Sequence, residues 1–204
     1  MVKVYSIVTL QLIFTVLLTA FVYNYEPAKE FVREYYWLTH VATIIGVAIS
    51  CSLVCCVKNA RIVPLNYILL AIFTICWAYM VAGFTQWFEG PDVVIAAILT
   101  ASMTLGLTIF ACFCKMKLTV LWGIAAAGSI AVWPLIIMLF VFPSKMLFQG
   151  IAFFIIILTS IYIVFDTKLI LKKLGLDDYI LGALMLYTDI IQLFIWILSL
   201  LGSR

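Results

Sequence analysis

The sequence predicts an all-α integral membrane protein, a single bundle of seven transmembrane helices, and two observations lead there. Apolar residues make up 67% of the 204 and charged residues only 10%, with a mean hydropathy of +1.27. A water-soluble chain covers its core with a polar shell and uses roughly 25% charged residues, so lipid must solvate much of this surface. The apolar residues also fall in continuous runs near the ~20 residues a helix needs to cross a bilayer, and not in the alternating pattern of a barrel strand. Bilayer interiors offer free backbone groups no partner, so such runs must be helices.

Charged and Pro/Gly clusters divide the chain into spans near residues 5–23, 38–57, 65–88, 92–114, 118–142, 146–171 and 181–201. The first run is too long for the apolar region of a signal peptide and lacks a small-residue cleavage site after it, so it reads as the first span. The longest connection, Asn24 to Trp37, mixes acidic and basic residues and reads as a loop. With connections this short, residues 1–204 form one transmembrane domain with no separate soluble activity.

Lysines and arginines set the orientation. An N-terminus inside places Lys3, Lys58, Arg61, Lys115, Lys117, Lys168, Lys172 and Lys173 on the cytoplasmic side, against Lys29, Arg33, Lys145 and Arg204 outside. That bias satisfies the positive-inside rule. The net charge of +3 comes with no basic run long enough for nucleic acid. The six cysteines sit in or beside apolar runs with no Cys-x-x-Cys pair or histidine cluster, which makes them packing residues, not metal ligands.

Small residues at four-residue spacing, Gly123, Ala127 and Ala131 in the fifth span and Ala97 with Ala101 in the fourth, suit close helix packing. Pro134 inside the fifth span is expected to kink it and leave an upstream carbonyl free. Thr100, Thr104 and Thr108 share one face of the fourth span, where their hydroxyls either bond their own helix or line a wet path.

Two ionisable residues fall inside apolar spans, Asp166 and Asp189. If the sixth span ends at Leu174 and the seventh starts at Leu181, each aspartate is ~12 Å from the hairpin tip at 1.5 Å per residue. Helices of a tight hairpin lie ~8–10 Å apart, so the two side chains can meet. Carboxylates that meet in a poorly solvated place cannot both ionise cheaply and share one proton, a proton-sensitive arrangement. Two acids supplemented by the hydroxyls of Thr167, Thr188 and Tyr187 also supply the hard oxygen ligands that Ca²⁺ takes. The cationic partner of the acids is expected from the rim between the second and third spans, where Arg61 can bind a carboxylate with two hydrogen bonds.

These motifs resemble a known family. Val2 to Ile7 with Gln11, Leu12 and Thr15, then Cys55-Cys56 followed by Arg61, Pro64, Leu65 and Asn66, then Phe165-Asp166-Thr167, and finally Asp178-Tyr179-Ile180-Leu181-Gly182-Ala183 with Tyr187-Thr188-Asp189-Ile190-Ile191 resemble the transmembrane Bax-inhibitor-motif family, in its Lifeguard, glutamate-receptor-associated branch. The resemblance runs from residue 2 to Gly202. It implies a seven-helix bundle of the Bax-inhibitor-motif type, a pH-sensitive Ca²⁺ leak across an intracellular membrane and inhibition of cell death. It also implies that Asp166 and Asp189 form the proton and Ca²⁺ gate, with a basic residue near Arg61 as their partner. The sequence departs from the pattern in two places: Lys117-Leu118-Thr119 occupies the place where such relatives usually have Asp-Phe-Thr, and the long Pro/Gly-rich N-terminal tail common in that branch is missing.

The expected function is therefore a pH-sensitive Ca²⁺ leak channel or exchanger, with Thr100, Thr104, Thr108 and Tyr187 along its pathway. Its partners are the lipid bilayer, Ca²⁺ and protons, together with other membrane proteins. The alternative is a non-conducting structural or interaction subunit of a larger membrane assembly, which the lost loop acid favours. The lone His40 has no nucleophile beside it, so neither enzymatic activity nor a cofactor is expected. The expected membrane is the endoplasmic reticulum or Golgi, with the mitochondrial inner membrane and plasma membrane as alternatives.

Overall fold

A computed structural model describes residues 2–55, 64–172 and 178–202 of the chain. Among the described residues there are eight helices: α1 (Val2–Asn24), α2 (Glu26–Glu34), α3 (Trp37–Cys55), α4 (Leu65–Thr85), α5 (Gly90–Phe113), α6 (Leu118–Val141), α7 (Lys145–Lys172) and α8 (Tyr179–Leu201). All but α2 are long and apolar enough to cross a membrane. The seven expected spans are thus present, with ends that move by three residues or fewer. The eighth helix, α2, lies where a loop was expected. Its charges hide a short helical period: Pro27 opens the first turn, Glu26 pairs with Lys29 at 3.2 Å, and Ala28 and Val32 form one inward face. Val32 is buried with Val22 of α1 and Ala82 of α4.

The chain folds as two compact units, Met1–Glu89 with Leu174–Tyr187, and Gly90–Lys173 with Thr188–Arg204, so that α8 contributes a half to each. In the first unit α4 packs against both α1 and α3. Neutral hydrogen bonds tie this apolar core together. The Gln11 amide donates to the Thr74 hydroxyl at 2.7 Å, and the Thr74 proton goes to the Leu70 carbonyl. Thr15 likewise spends its proton on the Gln11 carbonyl, so Tyr187 is the donor in their 2.8 Å contact. Such bonds join helices where lipid supplies no hydrophobic drive.

The α3–α4 seam is close enough to require glycine. A Cβ on Gly83 would lie 2.7 Å from the Oγ1 of the buried Thr39. Threonine is short and stiff at χ1 and cannot swing clear. Gly83→Ala is expected to destabilise the protein by about 1–2 kcal/mol, because overpacking exceeds the ~1 kcal/mol that alanine gains in helix propensity. Gly123→Ala, with no atom within 4 Å of the added carbon, is expected to be neutral or slightly stabilising. Thermal unfolding of both variants in nanodiscs decides this, and equal behaviour would contradict the seam.

In the second unit α7 packs against α5 and α6. Here the small-residue stripes differ from expectation: Gly123, Ala127, Ala131, Ala97 and Ala101 are all exposed. The packed faces are those of Ala96, Thr100 and Ala111 on α5 and of Leu121 and Ala125 on α6. Small residues occur on more than one face of these helices, and spacing alone does not say which face meets a neighbour. The cysteines also depart from a packing role, since Cys51, Cys55 and Cys112 are exposed while Cys76 and Cys114 are half-buried. Cys56 lies outside the described residues. Helix α6 runs continuously through Pro134.

The ends of the helices agree with alternating crossings. In the first unit the hydroxyls of Tyr67 and Tyr179 bond at 2.7 Å and the Lys3 ammonium lies over the Tyr179 ring, which gathers the starts of α1, α4 and α8. In the second unit Lys168, near the end of α7, bonds the Met116 carbonyl between α5 and α6. Lys115 and Lys145 lie at opposite ends of α6. The lysine-rich end is expected to face the cytosol, so Lys115→Cys should label from that side and Lys145→Cys should not. Cytosolic labelling of Lys145→Cys would reverse the topology.

Candidate functional site

The site is a pair of acids in the second unit. Asp166 lies on α7, six residues before its last described residue, and Asp189 on α8, ten residues after its start. Helix α7 is described as far as Lys172 and α8 from Tyr179, where the sequence predicts ends at Leu174 and Leu181. The carboxyl groups hydrogen-bond each other. Asp166 is 4% exposed. Asp189 is half-buried as a residue, but its Oδ2 is fully enclosed and has no hydrogen-bond partner.

Two chemical consequences follow from that geometry. An ionised carboxylate only accepts hydrogen bonds, so a bond between two carboxyls requires that one carry a proton. The pair therefore holds at least one proton. The enclosed Oδ2 of Asp189 is an acceptor without a donor, and buried polar atoms of that kind need an ion, a water or a proton to satisfy them.

The other expected site residues are distributed unevenly. Thr100 is buried and gives its proton to the Ala96 carbonyl at 2.7 Å. Thr104 and Thr108 are half-buried, and the Thr104 hydroxyl is enclosed without a partner. This stripe runs beside Leu107 and Ala111, which cluster with Ile161 and Val164 of α7. The stripe thus follows the α5–α7 seam formed by Ile161, Val164 and Phe165, a face of α7 that Asp166 does not share at about 100° per residue, and the Thr100 hydroxyl is committed to its own helix. Tyr187 is fully buried in the first unit, held by Thr15 and edge-on against Phe73 at 5.8 Å. Arg61 lies outside the described residues, as does Lys58. Thr167 is fully buried and Thr188 half-buried. Among the described residues no three His, Cys, Asp or Glu side chains cluster as a metal site would require, so a cation at the pair would take its remaining ligands from neutral oxygens.

Two features are not apparent from the sequence. Tyr162, four residues before Asp166 on α7, hydrogen-bonds Ser129 of α6, whose own proton goes to the Ala125 carbonyl. The four-residue spacing from Asp166 is a legible signal for a shared face. The second is Lys168, which is expected at the cytoplasmic rim but is 1% exposed. Its position after Asp166-Thr167 resembles a membrane boundary, and only the fold of the α5–α6 connection over it shows otherwise.

Seven apolar spans with a hydrogen-bonded acid pair between two of them define a polytopic helical membrane protein with an ionisable interior. The pattern of the Bax1-I family, described as inhibitor of apoptosis-promoting Bax1, matches residues 1–204. The chain belongs to that family and is an integral membrane protein of the Lifeguard type. It is 32% identical to Protein lifeguard 3 of Homo sapiens over 99% of this chain and 68% of the human protein. Against Protein LIFEGUARD 1 of Arabidopsis thaliana the identity is 33%, over 98% of this chain and 87% of the plant protein.

Proposed function

We propose that this protein is a pH-sensitive Ca²⁺ leak channel or exchanger of an intracellular membrane, the endoplasmic reticulum or Golgi, that contributes to Ca²⁺ homeostasis and to the inhibition of cell death. The observation that carries the reading is the hydrogen-bonded Asp166–Asp189 pair inside the spans. Intramembrane acids are costly and mark ion or proton pathways. The composition of the site favours passage over storage: a pair that keeps one proton offers Ca²⁺ a single negative charge. Ca²⁺ affinity rises with the count of charged ligands, and a conducting site must bind weakly enough to release. In this reading Ca²⁺ is cargo, the chain needs no cofactor and catalyses no reaction, and protons act as the gating ligand. The names of the relatives support a role in restraining cell death, with other membrane proteins as partners.

The test is Ca²⁺ flux through the purified full chain in liposomes as a function of pH. Flux should appear and should rise with pH over roughly pH 5 to 8, where a carboxyl pair sharing a proton releases it. Its absence at every pH would favour the non-conducting structural subunit.

A further inference from the structure

Lys168 is a buried charge that the acid pair's own chemistry leaves out. It lies on α7 two residues beyond Asp166 and is 1% exposed, and its Nζ donates to the Met116 carbonyl at 2.6 Å. A carbonyl supplies a dipole and not a charge, whereas a buried ammonium calls for a negative charge nearby. Among the described residues Lys168 forms no ion pair. The second unit contains three acids: Asp92, Asp166 and Asp189. Asp92 is in the first turn of α5, ~33 Å in helix length from the end that Lys168 reaches. The other described cations at this end of the unit, Lys115, Lys117 and Lys172, are exposed and screened. Within this unit the aspartate pair is therefore the buried carboxyl group nearest to Lys168 along the chain, and when it holds a single proton it carries one negative charge against one positive.

We propose that Lys168 is the fixed intramembrane counter-charge of the Asp166–Asp189 pair and sets how tightly the pair holds a divalent cation. Two residues along an α-helix turn through about 200°, so Lys168 leaves α7 on the side away from Asp166. A direct ion pair would occupy the oxygens that a cation needs. A counter-charge on the far side of the same turn acts through the poorly screened interior and leaves those oxygens free, including the Asp189 Oδ2. It neutralises the buried end when no cation is present and opposes a cation that arrives. The bond to Met116 keeps the ammonium from snorkelling out along α7. The inference deepens the reading of the pair as a cation station and rests on it for the cation effect, while the charge balance rests on the packing alone.

The experiment uses the full chain in lipid nanodiscs with Lys168→Gln, which retains a donor for the Met116 carbonyl but removes the charge, and with Lys168→Arg, which retains the charge. Thermal unfolding is measured for Lys168→Gln alone and in the Asp166→Asn/Asp189→Asn background, where the pair is uncharged. The glutamine should lower the unfolding temperature with the acids present and should raise it, or leave it unchanged, with them neutralised. A purely structural tether to Met116 would cost the same in both backgrounds, and equal shifts overturn the proposal. If Lys168→Gln does not accumulate, its recovery in the double-asparagine background supports the counter-charge and failure to recover overturns it. With Ca²⁺ alone as the probe, the concentration that half-saturates the shift in unfolding temperature should fall roughly tenfold in Lys168→Gln, a change worth 1.4 kcal/mol, and return towards wild type in Lys168→Arg. An unchanged half-saturation overturns the specificity role. Coupled unfolding temperatures in a protein that passes no Ca²⁺ would sink the leak reading and leave the counter-charge standing.

Discussion

Replacing Asp189 with asparagine is expected to lower Ca²⁺ flux through the reconstituted protein by roughly tenfold or more, the factor that corresponds to losing 1.4 kcal/mol of cation stabilisation. The Asp189 Oδ2 is enclosed and unpartnered, so it is the oxygen of the pair free to meet a desolvated ion. An amide keeps the shape but removes the charge, and an apolar span has little solvent with which to compensate. Glu89→Gln is the control. Glu89 is exposed in the turn between α4 and α5, where solvent and salt screen its charge, so flux should stay within about twofold of wild type. Flux in the two variants would be measured in liposomes of one composition at one pH. Equal flux in wild type and Asp189→Asn would mean that no ion uses the pair.

The legible part of this fold is the part that lipid enforces. Seven runs of apolar residues must be helices whatever they pack against, so hydropathy and punctuation determine their number and ends. That the two acids can meet is also legible, because a helical hairpin converts residue counts into depth, and their carboxyls do hydrogen-bond. Side-chain direction is not legible in the same way. Ala96 and Ala97 are neighbours with similar chemistry, yet one is buried and the other exposed, and lipid accepts either face. Polarity gives no help when the solvent is apolar too. The α2 helix is hidden for the opposite reason: its four-residue apolar period, Ala28 and Val32, is embedded in charges that suit a loop equally well. Lys168 is misplaced by the sequence because a lysine near a span end normally reaches out to water, and its burial depends on where the chain after α5 passes, which is a property of the assembled unit.

The largest qualitative effect is expected in the pH dependence of flux, where Asp166→Asn should remove the response altogether. In the structure the two carboxyls are joined by a hydrogen bond that requires one proton, and this bond ties α7 to the second half of α8. When that proton is lost, two negative charges face each other where little solvent screens them, and their repulsion loosens the junction. The sign follows directly. In the proposed gate the closed arrangement holds a proton that the open one has released, so raising the pH should favour opening and lowering it closure. Lys168 tempers the repulsion without abolishing it, because it can balance one of the two charges. An asparagine at position 166 still hydrogen-bonds the ionised Asp189 through its amide, but it has no proton to release on opening, so the junction no longer responds to pH. Flux through Asp166→Asn should therefore be flat over roughly pH 5 to 8, the range in which the wild-type flux rises. The two curves would be recorded side by side on liposomes with matched Ca²⁺ gradients. A flat wild-type curve, or an Asp166→Asn curve that rises with the wild-type midpoint, would rule out the shared proton as the gate while leaving the fold and the family assignment intact.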